Sequence, residues 1–548
     1  MALNKWLLLV LCMYAAPVLA QEHRYVVYFS DKNDSPYSIE RPEDYLSTRA
    51  LARRSAQQIA VTTEDLPPNP SYVDSVASLG AETYFTSRWL NLLLVQTTPA
   101  IAESISSLGF VDSVAQVAKF TRLSARVGAM PERGELRNTR NGDLVDEVTF
   151  VQNELIGAVG MHSRGYWGEG IRIAVFDGGF SNVQVIPAFA HLFDESRLLT
   201  AFNYVRNDST VFEFSDHGTR VLSTMAGMVE GRYTGIAPDA EYLLFVTEDV
   251  MSEQRVEEYN WLFAAEDADS AGVDIINASL GYYDFDSVAL NYTHADLDGQ
   301  TGVATRAADI AASKGMVVVL SCGNEGNTNW ETITIPADAV RPISVGAVND
   351  RGAHASFSSV GPSADGRIKP ELVAMGQGTA IIRSTGNIGT DIGTSFAAPQ
   401  VAALAAGIWE AFPDLSAAEI KELLIRSADQ YDTPDGQRGY GLPNFVRVAE
   451  LMGVTGLDNA ASGIALQVYP NPLNGERFVL EGDGFLAGER VTVRVTDAEG
   501  KTVVQQKERS QNGALKLEFD LSGRGGGMFI ISLTNEKGQQ ETLRLLKR

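Results

Sequence analysis

The chain has 548 residues, of which 45% are hydrophobic, and a formal net charge of −25. That much apolar content supports several packed cores rather than a disordered chain, and the acidic balance argues against nucleic acid as a partner. With two cysteines, Cys12 and Cys322, it is not a disulfide scaffold.

Residues 1–20 carry Lys5, an apolar run from Trp6 to Tyr14 and the small-residue exit Val18-Leu19-Ala20, the pattern of a cleaved secretory signal. The run is short for a membrane span, so the mature protein is expected to be soluble. Cys12 leaves with the signal, and Cys322 is then without an intramolecular partner.

From residue 21 to about 120 the predicted order is β-α-β-β-α-β. Strands are expected at Arg24–Phe29, Glu82–Phe85, Trp89–Gln96 and Val111–Val117, and helices at Ser71–Leu79 and Pro99–Leu108. The polar stretch that runs to Pro67-Pro68-Asn69-Pro70 is read as an insertion. This split βαβ order serves many functions and by itself names none. Residues 121–149 lack periodicity and read as an exposed connector open to cleavage.

Residues 150–455 alternate strands and helices, which predicts an α/β domain with a mostly parallel sheet and helices on both faces. Nearly continuous apolar runs mark strands at Ile171–Phe176, Glu241–Val246, Val273–Leu280, Met316–Cys322 and Pro342–Val348. Helices are expected at His217–Val229, Glu257–Ser270 and Ala304–Lys314. Ligands of such sheets bind at the carboxyl ends of the strands, and the chemically interesting residues fall there. Asp177 ends the first strand in Phe176-Asp177-Gly178-Gly179. His217 opens a helix in Ser215-Asp216-His217-Gly218-Thr219, and Asn324 follows a strand in Ser321-Cys322-Gly323-Asn324-Glu325. Ser279-Leu280-Gly281 ends another strand, suited to lining a cleft for an extended peptide.

Ser395 lies in Gly393-Thr394-Ser395-Phe396-Ala397-Ala398-Pro399, ahead of a helical apolar run. First-turn N–H groups and the helix dipole favour an anion there, making Ser395 a candidate nucleophile. Pro399 is read as tolerated because the helix has just begun. Taken singly, an N-cap serine, a turn aspartate, a structural histidine and an αL asparagine would each account for these positions.

Taken in order, the segments around Asp177, His217, Ser279-Leu280-Gly281, Asn324 and Ser395 resemble the subtilisin family of serine proteases. The resemblance continues through Ile335-Pro336-Ala337 and Phe357-Ser358-Ser359-Val360-Gly361-Pro362. It implies an Asp177, His217, Ser395 triad, an oxyanion site at Asn324, and substrate-binding roles for Ser279, Leu280, Gly281 and Glu325. The loop Gly326–Thr334 carries Trp330 and lacks the glycine expected near its end, so the pocket floor should be narrower than usual. No cofactor is required for the chemistry. Several family members bind calcium, so the resemblance leaves a structural calcium open, but Asp296-Leu297-Asp298-Gly299 lacks the spacing of a complete EF-hand and is read as a surface acidic turn.

In the same light the α+β segment 21–120 resembles the family's propeptide, an inhibitor and folding aid. Ser416-Ala417-Ala418-Glu419 is a capping box for a last amphipathic helix, after which Gly439-Tyr440-Gly441 closes the module. Residues 459–548 change to short strands and turns, as in a β-sandwich. Val468-Tyr469-Pro470-Asn471-Pro472, the hairpin Asp497-Ala498-Glu499-Gly500-Lys501 and the basic end Leu546-Lys547-Arg548 resemble C-terminal sorting domains of the type IX secretion system. The expectation is a secreted or cell-surface serine endopeptidase, exported through the periplasm of a Gram-negative bacterium, acting on proteins or peptides and monomeric. Its expected partners are its own propeptide and the secretion machinery. A catalytically silent adhesion or binding protein on the same fold is the alternative.

Overall fold

The computed structural model describes residues 21–119, 148–453 and most of 465–547. The predicted signal, nearly all of the 121–149 connector, the tip of the Asp497–Lys501 hairpin, Pro472 and Arg548 lie outside the described residues. The chain forms two compact units. One takes in the chain up to Tyr45, Val61–Met130 and Gln254–Val256; the other takes in Leu46–Ala60, Pro131–Glu253 and Glu257–Arg548.

In the first unit a four-stranded antiparallel sheet runs in the order Glu82–Ser87, Leu92–Thr97, His23–Phe29, Val111–Lys119. Its two helices, Pro70–Ser78 and Pro99–Ser106, begin as their sequences dictate. Asn69 and Thr98 accept first-turn N–H groups, and a proline occupies the first turn of each. Val76, Ala102 and Ile105 from these helices pack with Tyr25, Val27, Phe29, Leu93 and Val95 of the sheet. The backbone N–H of Lys119 donates to Gln254 Oε1 at 2.6 Å.

The second unit is built on a seven-stranded parallel sheet. Across it the order is Leu372–Met375, Ile343–Val348, Val317–Ser321, Ile275–Ala278, Arg172–Asp177, Glu241–Val246, Leu198–Asn203. After the Arg172–Asp177 strand the chain first builds towards one edge, then crosses back and fills the other side from Ile275 onward. The strand order therefore reverses between Arg172–Asp177 and Ile275–Ala278, the place where open parallel sheets leave a crevice at their carboxyl ends. The helix Thr394–Ala411 packs against the four strands from Leu372–Met375 to Ile275–Ala278 and against the helix His217–Ala226. It is buried almost throughout, as its alanine-rich composition requires for a close approach to the sheet.

The two edges of the sheet were not anticipated: Leu372–Met375 is buried, whereas Leu198–Asn203 has a half-exposed face. Nor was the hairpin of Gln377–Ile382 and Ile388–Ile392 that precedes the Ser395 helix. The capping box at Ser416 and Glu419 forms as expected. Gly439-Tyr440-Gly441 does not close the module: a further helix, Phe445–Leu451, follows it, capped by Asn444.

The stretch read as an insertion contains the helix Thr48–Ala56, capped by Ser47. Its docking is ionic rather than apolar. Arg53 Nη2 lies 2.5 Å and Arg54 Nη2 2.6 Å from the two oxygens of Asp269, with all three side chains buried. Arg49 reaches Asp274 at 2.6 Å. Removing one partner of a buried ion pair leaves uncompensated charge, at a cost of about 3–5 kcal/mol.

Residues 465–547 form a three-stranded sheet (Ala465–Tyr469, Arg477–Asp483, Ala514–Asp520) and a four-stranded one (Thr502–Arg509, Arg490–Thr496, Gly527–Asn535, Gln540–Lys547). Phe478, Leu480, Leu515, Leu517 and Phe519 of the first share a core with Val491, Val493, Val495, Ile531 and Leu533 of the second. Strict alternation puts the intervening polar residues outside.

The Arg53–Arg54–Asp269 cluster gives the first test. Asp269→Ala should lower the urea midpoint of the full-length chain by the equivalent of about 3–5 kcal/mol. An unchanged midpoint would show that the cluster contributes nothing to holding the Thr48–Ala56 helix.

Candidate active site

The crevice at the strand-order reversal gathers the sequence-predicted residues. Asp177, fully buried at the end of its strand, accepts the N–H of Gly178 at 2.8 Å. The imidazole of His217, first residue of its helix, places Nδ1 2.9 Å and 3.0 Å from the two Asp177 oxygens. This approach depends on a residue without a side chain. Gly218 N–H donates to Gly179 O at 3.0 Å, and a Cβ on Gly218 would lie 2.5 Å from that same oxygen. Burial of the imidazole opposes its charged form, but the Asp177 carboxylate and its hydrogen bond outweigh this, so His217 titrates above its ordinary value.

Ser395 is the second residue of its helix, whose first-turn N–H groups have no internal acceptors. The ring of Phe396, the next residue, is 5.8 Å from that of His217, with Arg220 held above Phe396 and ion-paired to Asp216 and Asp391. No hydrogen bond among the described residues joins Ser395 to His217. The Ser395 hydroxyl instead faces the Ser279 carbonyl at 3.4 Å, in keeping with catalytic hydrogen bonds that tighten only when substrate is bound.

Pro399 occupies the sixth position of the helix, not its opening turn as the sequence suggested. A proline there has no N–H for the carbonyl four residues earlier, which is that of Ser395. Ser279 Oγ fills the gap, donating to Ser395 O at 2.9 Å. The Ser279 side chain thus holds the helix that carries Ser395 rather than reaching for a substrate.

Asn324 is exposed at the tip of its strand, and its amide oxygen accepts from Thr394 N at 2.8 Å and Thr394 Oγ1 at 3.1 Å. With the oxygen fixed, the Nδ2 donors are turned away from Thr394. Thr394, missed in the sequence, was signalled by its place between the N-cap glycine and the serine. Gly281 is exposed and its main-chain groups bond to nothing among the described residues, so they are open to an extended peptide. Leu280 is half-buried beside it. Glu325 is engaged by its own loop and by a neighbouring one, accepting from Thr328 Oγ1 at 3.0 Å and Tyr283 Oη at 3.2 Å. Trp330 stacks on Tyr283 at 4.8 Å and abuts His294.

Cys322 is fully buried, its thiol pushed up to about 12 by burial; it is a core residue, not a nucleophile. In the acidic turn, Asp298 accepts from Gln300 N, Thr301 N and Thr301 Oγ1, and Asp296 from Thr293. These carboxylates are spent on their own loop. Among the described residues a closer carboxylate group is Glu248, Glu253 and Glu257, with one oxygen from each within 4.8 Å of the others. Burial pushes Glu248 up to about 7 and Glu253 up to about 8, which puts part of the charge on protons.

The Ser279–Ser395 bond predicts a specific weakness. Ser279→Ala leaves the Ser395 carbonyl buried without a donor, at a cost of about 1–3 kcal/mol, and should lower the thermal midpoint. A midpoint equal to that of the parent would mean that the carbonyl finds another donor.

Three family models match the chain. Residues 168–441 match the subtilase family, Peptidase S8. Residues 24–130 match the Peptidase S8 propeptide domain of Bacteroidota, and residues 467–547 match the secretion system C-terminal sorting domain. Among curated relatives, subtilisin of Bacillus pumilus is 32% identical over 303 residues, which are 54% of this chain and 96% of the relative. Subtilisin NAT of Bacillus subtilis subsp. natto is 32% identical over 281 residues, 50% of this chain and 64% of the relative. Serine protease AprX of Bacillus subtilis is 29% identical over 300 residues, 49% of this chain and 63% of the relative. The chain thus spans just under two thirds of the length of some Bacillus relatives and nearly all of another. The propeptide and sorting-domain matches indicate a secreted or cell-surface protein of a Gram-negative bacterium. With the seven-stranded parallel sheet, the Asp177–His217 pair and the serine-bearing helix in place, the chain belongs to the subtilase family of peptidases.

Proposed function

We propose that this chain is the precursor of a secreted serine endopeptidase. Ser395 Oγ attacks the scissile carbonyl carbon while His217 Nε2 takes its proton. The same proton then passes to the leaving amine as the C–N bond breaks, and water releases the acyl group by the reverse sequence. Asp177 holds the Nδ1–H of His217 and stabilises the imidazolium. Asn324 Nδ2 and the Ser395 N–H receive the oxyanion. Leu280 and Gly281 border the peptide, and Glu325 stands near the rim. The observation that carries this reading is the pairing of the buried Asp177 carboxylate with His217 at 2.9 Å next to an amide whose oxygen is locked by Thr394. A silent binding protein has no use for that arrangement.

The same reading makes residues 24–130 an inhibitor and folding aid, released by cleavage in the 121–149 connector, and residues 467–547 an export signal outside the chemistry. The mature enzyme acts as a monomer and needs no cofactor for the reaction.

Ser395→Ala should abolish hydrolysis of casein by the matured enzyme without unfolding it; comparable turnover would sink the mechanism. Asn324→Leu should lower kcat by about two to three orders of magnitude with little change in KM, the size of loss that removal of one oxyanion donor produces in subtilisin itself. A change confined to KM would remove Asn324 from the oxyanion role.

The pH profile follows from His217. Only the neutral imidazole is a base, and Asp177 holds its pKa above the ordinary value. Thus kcat/KM should rise with pH through a midpoint above about 6.5. A midpoint at or below that value would contradict the pairing.

A further inference from the structure

With no hydrogen bond between Ser395 and His217 among the described residues, their approach is set by whatever holds together the elements that carry them. Arg220 lies three residues beyond His217 on the helix His217–Ala226, and side chains at that spacing share a helix face. Both reach the same ring. The imidazole lies 5.8 Å from the ring of Phe396, and the Arg220 guanidinium is 5.8 Å above it. Phe396 is the residue after the nucleophile and is 2% exposed, so the contact between cation and ring face is shielded from water and stronger than at a surface.

The same guanidinium grips the chain ahead of the nucleophile. Arg220 Nη1 lies 2.5 Å from Asp391 Oδ2. Asp391 is four residues before Ser395, on the strand Ile388–Ile392 that runs into Gly393-Thr394-Ser395. Nη2 lies 2.9 Å from Asp216 Oδ1, next to His217 in the chain, and Asp216 Oδ2 accepts from Ser384 Oγ at 3.3 Å in the turn of the same hairpin. The strand Ile388–Ile392 belongs to a two-stranded hairpin outside the seven-stranded sheet and is half-exposed. The ion pair with Asp391 is therefore a tie to the His217 helix that the sheet does not supply. One forked side chain joins that helix to the chain on both sides of Ser395. A planar guanidinium can serve two carboxylates and a ring face at once, which an ammonium cannot.

We propose that Arg220 is the positioning residue that brings the His217 imidazole to Ser395, by holding Phe396 and Asp391, on either side of the nucleophile, against the helix that carries the base. This rests on the hydrolytic reading above. Arg220 acts through Phe396 and Asp391, not on the reacting atoms. Its charge has a second, separable effect. The charged groups around the imidazole are Asp177 from its strand, with Glu248 beyond it, Asp216 and Arg220 from the helix start, and Asp391 with Arg383 from the hairpin. Burial opposes the imidazolium, Asp177 and Asp216 favour it, and Arg220 opposes it. Removing the guanidinium leaves Asp216 uncompensated, so the pH at which His217 becomes a base must rise.

The test measures kcat and KM of the matured enzyme on a peptide p-nitroanilide across pH, and the rate at which an active-site serine phosphonate labels Ser395, once a thermal melt shows each variant folded. Arg220→Gln should lower the plateau kcat by about tenfold to a hundredfold, the size of loss that a misplacement of about 1 Å produces. KM should change by less than about twofold, labelling should slow in step with kcat, and the midpoint of kcat/KM should move to higher pH. Arg220→Lys should return the midpoint towards that of the parent while leaving the plateau kcat low, because the charge is restored and the fork is not. Should Arg220→Gln not fold, Arg220→Lys carries the test alone, with a lowered plateau kcat and an unmoved midpoint. A folded variant with the kcat of the parent, a loss confined to KM, a midpoint unmoved in Arg220→Gln, or full recovery of kcat in Arg220→Lys would overturn the positioning role while leaving hydrolysis intact. A folded parent enzyme that neither cleaves peptides nor takes the label would overturn the hydrolytic reading and this proposal with it.

Discussion

The site depends on how the start of one helix is fastened. Pro399 takes the amide hydrogen from the position that would bond the Ser395 carbonyl, and Ser279 Oγ replaces it at 2.9 Å. One residue earlier, Thr394 fixes the Asn324 amide through two bonds to its oxygen. The helix Thr394–Ala411 is therefore tied at its first turn to the ends of two neighbouring strands, Ile275–Ala278 and Val317–Ser321. Ser395, Asn324 and Ser279 are thereby joined through one helix turn. Preorganisation of this kind lets dipoles act on a developing charge without having to turn first.

Asp177 and His217 are positioned by separate means. Their strand and helix meet because Gly179 and Gly218 leave no side chains in the way, and because the reversal of strand order opens a crevice beside Asp177. The cost is a carboxylate with no exposure to water, offset by the Gly178 N–H and by the imidazole it holds. Burial and ion pairing pull the histidine in opposite directions, and the ion pair prevails.

Much of this was legible in the sequence. Strands buried on both faces announce themselves as apolar runs, and five of the seven sheet strands were placed to within a few residues. The two edge strands were not: the half-exposed face of Leu198–Asn203 breaks its run, and Leu372–Met375 has only four residues, too short to stand out. The helix Thr48–Ala56 was missed for a different reason: its buried face is made of Ala50, Arg53 and Arg54, so hydrophobic periodicity had little to report. Asp177, His217, Asn324 and Ser395 were recognisable from their glycine-flanked positions at element ends. Ser279 was recognised as a candidate, but its side-chain bond to the Ser395 carbonyl becomes visible only when Pro399 is known to sit inside the helix.

The measurement that bears most directly on the central claim is covalent labelling of the matured enzyme with an active-site serine phosphonate, followed by peptide mapping. One label per chain is expected, on Ser395, in folded protein and not after denaturation, and Asn324→Leu should slow the labelling. A chain that takes up no label, or takes it up equally on other serines, would contradict the assignment of Ser395 as the nucleophile.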